Sequence, residues 1–86
     1  MGRARLDPRL RTRLQANPDA TAHLIVRVAG DLEQRAQELS SRGVTVQRRL
    51  RLISALAVRS TGRQALSLAG EHWVLSIEED REVRAI

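Results

Sequence analysis

Apolar positions along the chain change period several times, and each change marks an element. Leu6, Leu10 and Leu14 recur every four residues, with Asp7 placed to cap and Pro8 at the first helical position. A short helix is predicted there, ending at Asn17-Pro18-Asp19 because a residue before proline is pushed out of the helical region. His23-Leu24-Ile25-Val26-Arg27-Val28 is a compact β-branched run that reads as a mostly buried strand, broken at Ala29-Gly30. Asp31, with Gln34 three residues on, then has the spacing of a capping box. Leu32, Ala36 and Leu39 make one apolar helical stripe, and Gly43 supplies a left-handed stop.

From Val44 the alternation of a strand returns: Val44, Val46, Leu50 and Leu52 are apolar among Thr45, Gln47, Arg48, Arg49 and Arg51. A turn is expected at Ile53-Ser54, although neither residue is the Gly or Asn such turns favour. Ala55-Leu56-Ala57-Val58 reads as a third strand. Thr61 with Gln64 repeats the capping-box spacing, and Ala65, Leu66, Leu68 and Ala69 form a short helix stopped by Gly70. Trp73-Val74-Leu75-Ser76-Ile77 is the fourth strand, and the residues after it are too charged to pack as core.

The order strand-helix-strand-strand-helix-strand predicts an α+β chain. Its expected architecture is a ferredoxin-like split βαβ sandwich, an antiparallel sheet with two helices on one face, preceded by a short N-terminal helix. The expected division is an N-terminal helical extension (1–21), the sandwich (22–80) and a C-terminal tail (81–86). The second sheet face is then uncovered, with small and polar residues at its centre and arginines at its rim, which makes it a docking surface.

Composition narrows the function. All 15 basic residues are arginine, and the net charge of +5 is uneven. Residues 1–70 hold 13 Arg against five acids (+8), and residues 71–86 hold two Arg against five acids (−3). A basic body with an acidic end has two electrostatic faces. The absence of cysteine excludes disulfides, thiolate zinc sites and cysteine nucleophiles. No apolar run approaches the roughly 20 residues of a membrane span, so no membrane partner is expected. The start also lacks the apolar stretch of a secretory signal, so the chain as written reads as cytoplasmic.

Chemistry is sparse. His23 and His72 have no carboxylate at ligand-like spacing, the serines lack a nucleophile elbow, and Gly62 and Gly70 do not form a phosphate-binding loop. Glu78 and Asp80 point the same way on an extended chain, but a domain of this size offers no pocket for a catalytic pair. No enzyme, cofactor or metal is expected. RNA-binding sheets stack bases on strand aromatics, and the one aromatic here, Trp73, reads as core, which argues against nucleic acid.

The order of these pieces resembles the subtilisin propeptide family, which includes stand-alone subtilisin-propeptide-like protease inhibitors. The likeness spans about three quarters of the chain. It rests on Leu24–Val28, on Leu52-Ile53-Ser54-Ala55-Leu56-Ala57-Val58, on the capped helix from Thr61 and on Val74-Leu75-Ser76-Ile77-Glu78-Glu79-Asp80-Arg81-Glu82-Val83. The resemblance implies that the open sheet face packs on two parallel helices of a subtilisin-like serine protease, whose N-termini Glu78 and Asp80 cap. It implies that the tail lies in the cleft like the acyl half of a cut substrate. Ile86 then fills the primary specificity pocket, Ala85 the next subsite and Val83 the fourth, with Arg84 toward solvent. Ile86 is β-branched where the family favours large unbranched or aromatic residues. Ser54 stands where Gly or Asp is more usual.

Members of the family act as a proregion that chaperones and then inhibits its own protease, or as a separate inhibitor. With an initiating Met, no signal stretch and an end that matches the end of the tail, a stand-alone inhibitor is expected, monomeric when free. The alternatives are the propeptide of a larger subtilase precursor, extracellular once excised, and a small RNA-binding or regulatory module.

Overall fold

Helices begin here where a side chain or a loop carbonyl answers the orphan N–H groups of a first turn. In this computed structural model, which describes residues 4–81, α1 (Pro8–Ala16) is capped by the Asp7 carboxylate, which accepts from the Arg9 N–H at 3.0 Å. α2 (Leu32–Ser41) is capped by Asp31, which accepts from the Gln34 N–H at 3.3 Å. α3 (Gly62–Leu68) has the full reciprocal box: Thr61 Oγ1 accepts from Gln64 N at 3.1 Å, and Gln64 Oε1 accepts from Thr61 N at 2.9 Å. Its next N–H groups are met by the loop after α1, Gly62 donating to Ala20 O (3.3 Å) and Arg63 to Pro18 O (2.9 Å).

Five strands complete the fold: β1 (Arg5–Leu6), β2 (Thr21–Val28), β3 (Thr45–Leu50), β4 (Ala55–Thr61) and β5 (Val74–Glu79). They form one sheet in the order β1-β5-β2-β4-β3. The pairs β2–β4, β2–β5 and β3–β4 are antiparallel, while β1 lies parallel to β5, Arg5 beside Ser76 and Leu6 beside Ile77. The molecule is therefore α+β, with three helices and a mixed five-stranded sheet.

Side chains alternate across a strand, so register sorts the sheet into two faces. Leu24, Val26 and Val28 of β2, Leu56 and Val58 of β4, and Val74 and Ile77 of β5 share one buried cluster with residues of all three helices. Those are Leu10 and Leu14 of α1, Ala36 and Leu39 of α2, and Ala65 and Leu68 of α3. Each fully buried Leu or Val contributes about 1.5–3 kcal/mol, so α1 holds a real share of the core. Trp73, 3 % exposed, is clasped by two guanidinium groups, Arg35 at 4.8 Å and Arg42 at 5.9 Å from the ring centroid.

Four details depart from the sequence reading. Leu6 belongs to β1 and sits half-buried beside Ile77, because the chain enters extended along the β5 edge before Asp7 starts the helix. The sheet is consequently mixed instead of wholly antiparallel. Leu52 is fully exposed on a single 3-10 turn, Arg51–Ile53, and does not continue the strand. Gly43 does take a positive φ (84°), whereas Gly70 does not, and α3 ends with Gly70 N–H donating to Ser67 O at 3.2 Å.

Candidate functional site

The sheet face away from the helices carries three cross-strand rows. Ser76, Arg27, Ala55 and Leu50 form one, with Arg5 on the far side of Ser76. Glu78, Ile25, Ala57 and Arg48 form the next, and His23, Arg59 and Thr45 the third. Ala55 and Ala57 are fully buried although no helix covers them. For Ala57 the reason lies in its neighbour on β3. Arg48 stands beside Ala57, and its guanidinium reaches the Asp80 carboxylate at 3.5 Å. Strands lie about 4.8 Å apart, so the Arg48 stem must pass over Ala57 to arrive there.

Asp80 is fixed at its backbone as well, donating its N–H to His23 O at 2.9 Å. Its side chain is 15 % exposed. Glu78, two residues earlier, stands on the same face, exposed and without a hydrogen bond or ion pair among the described residues. The predicted pair is thus brought together on the open face, but its members differ: one carboxylate is free and the other is braced by Arg48.

Glu79 points the opposite way, in register with Leu24. It accepts from Arg13 of α1 at 2.8 Å and lies 3.4 Å from Arg81. The hydrogen-bonded Arg13 guanidinium holds the Glu79 carboxyl below the usual carboxylate range, against an upward push from desolvation, and Arg81 adds to the lowering. This ion pair ties the end of β5 to α1, at the point where the chain leaves the sheet. Sequence reasoning missed Glu79 and Arg48, since both sit in charged runs where spacing does not reveal the partner.

Two open grooves flank the Arg13–Glu79 pair, of about 330 and 400 Å³. The first is floored by Leu10, Leu14 and Leu24, with His23 and Asp80 at its rim. His72 is exposed ahead of β5. Among the described residues no three His, Asp or Glu side chains gather as a metal site, and no helix is long and apolar enough to cross a membrane. Leu52, Ile53 and Leu75 are the exposed large hydrophobics of the described residues. They sit at one end of the sheet, where Val28 N–H donates to Ser54 O at 2.9 Å and Val28 pairs with Val74. The expected cleft-binding residues Val83, Arg84, Ala85 and Ile86 lie outside the described residues.

No protein-family model matches the chain, and no curated protein matches it in sequence.

Proposed function

We propose that this chain inhibits a subtilisin-like serine protease, docking by its open sheet face and laying Val83–Ile86 in the active-site cleft as a bound product. The reading takes β2, α2, β3, β4, α3 and β5 as a ferredoxin-like split βαβ sandwich, with strand order β5-β2-β4-β3, and α1 as the helix that precedes it. The observation that carries it is the place of Glu78 and Asp80. Both stand on the uncovered face at the end of the last strand, directly before the tail.

A helix N-terminus offers unpaired N–H groups and about half a positive charge, which a carboxylate on a flat face can meet. Glu78 is ready for this role, because among the described residues it has no internal partner to give up on binding. Asp80 must exchange Arg48 or share it. A tail in extended form presents Val83 and Ala85 to one side and Arg84 to the other, while strand addition supplies main-chain hydrogen bonds. The terminal carboxylate then sits near the catalytic serine, where a product would leave it.

Inhibition constants against a panel of subtilisin-like proteases test the reading. The wild-type chain is expected to inhibit at least one member in the nanomolar to micromolar range. Glu78→Ala and Asp80→Ala each remove one cap, of about 0.5–2 kcal/mol, and so weaken inhibition about 2- to 30-fold. Absence of inhibition across the panel contradicts the proposal. Unchanged constants in both variants remove the capping contact from it.

A further inference from the structure

Ion pairs tie the helices to the rest of the fold, whereas on the open face Arg48 pairs with Asp80 and three other arginines have no carboxylate partner among the described residues. On the helix side Arg13 pairs with Glu79 at 2.8 Å, Arg42 with Glu71 at 2.9 Å, and Arg49 with Glu33. On the open face Arg5, Arg27 and Arg59 are exposed, and none has a carboxylate within 4.0 Å among the described residues. Arg27 faces Ala55 across β2–β4, and Arg59 stands four residues further along β4. At about 3.4 Å per residue the two positions are about 14 Å apart along the strands. Ile25, Ala55 and Ala57 form a small apolar floor between them.

We infer that this face is built for an acidic protein surface, in which the target presents carboxylates opposite Arg27 and Arg59 astride the contact with Ile25, Ala55 and Ala57. The inference rests on the protease reading and specifies its partner: a subtilisin-like protease whose docking surface is acidic beside the helix N-termini that meet Glu78 and Asp80. Complementary charge raises the rate of encounter and rejects partners of like charge more than it deepens affinity. An RNA occupant is disfavoured on the same face. Glu78 and Asp80 oppose phosphates there, and Trp73, which could stack a base, is buried in the core.

The full chain, Arg27→Glu with Arg59→Glu, and Arg27→Gln with Arg59→Gln are compared on subtilisin-like proteases of acidic and of basic net charge. Far-ultraviolet circular dichroism confirms that each variant is folded. The wild type is expected to inhibit acidic members at least about tenfold more tightly, through faster association that slows with added salt. Charge reversal is expected to weaken inhibition of those members about 10- to 1,000-fold and to flatten the salt dependence, with the neutral variant between. Inhibition that is equal in wild type and reversed variant overturns this inference and leaves the protease reading standing. Inhibition of no member by the wild type overturns the protease reading and this inference together. Salt-dependent binding of a single-stranded RNA oligonucleotide, lost in the reversed variant, also overturns it.

Discussion

Gly62 is where α1 and α3 meet, and replacing it by alanine measures how tightly the N-terminal helix is fastened. A Cβ built there lies 2.5 Å from Leu14 O and 2.9 Å from Asn17 O, both backbone atoms. Backbone cannot rotate aside as a side chain can, so α1 must shift. Overpacking of this kind costs about 1–3 kcal/mol, and the better helix propensity of alanine returns at most about 1 kcal/mol. From a mid-range cost of about 2 kcal/mol, the net loss is about 1–2 kcal/mol. For a domain of this size that lowers Tm by about 4–16 °C. Thermal unfolding followed by circular dichroism and by the emission of Trp73 reads the effect with two probes, the lone Trp being 3 % exposed when folded. Gly70→Ala is the control. Its Cβ meets Ser67 O at 3.5 Å, an ordinary contact, so its Tm is expected within about 2 °C of wild type. A Gly62→Ala chain that melts with, or above, Gly70→Ala refutes the close approach of α1 to α3.

The Arg13–Glu79 pair predicts an acid response. The Glu79 pKa is lowered from 4.5, so its stabilisation is present above that value and is lost as pH falls through the lower folded pKa. Glu79→Gln is expected to flatten the fall in Tm as pH drops below about 5, and an unchanged pH profile contradicts the pairing. Ser54 holds φ 51° and ψ 51°, the left-handed region that disfavours a side chain. Ser54→Gly is expected to stabilise by about 0.5–1 kcal/mol and Ser54→Val to destabilise, and the reverse order in paired melts contradicts the turn geometry.

Local chemistry explains which parts of the fold were legible in sequence. Caps announce themselves within four residues, so Asp7, Asp31 and Thr61 mark the starts of the three helices, and Gln64 completes its box as the spacing predicts. The compact β-branched run His23–Val28 reads as a mostly buried strand for the same reason, and Leu24, Val26 and Val28 form its buried side. The two-residue strand Arg5–Leu6 has no such signature. It is a strand because β5 offers an edge, and Leu6 falls by coincidence at helical spacing from Leu10 and Leu14.

In the candidate site, the shared orientation of Glu78 and Asp80 follows from their spacing of two on a strand. Their inequality does not, since Arg48 is 32 residues away from Asp80 in sequence and only the β3–β4–β2 register brings it near. The Arg13–Glu79 contact is longer in range still, at 66 residues. Opposite charges in an arginine-rich chain have many candidate partners, and nothing in composition selects among them.

The direct measurement is a comparison of the full chain with one lacking Val83–Ile86, assayed on the same subtilisin-like protease, with the thermal melt of each recorded alongside. A product-like tail on a rigid sheet predicts that the shortened chain melts within a few degrees of the full one while its inhibition constant rises at least about a hundredfold. Two chains of equal potency would contradict that claim.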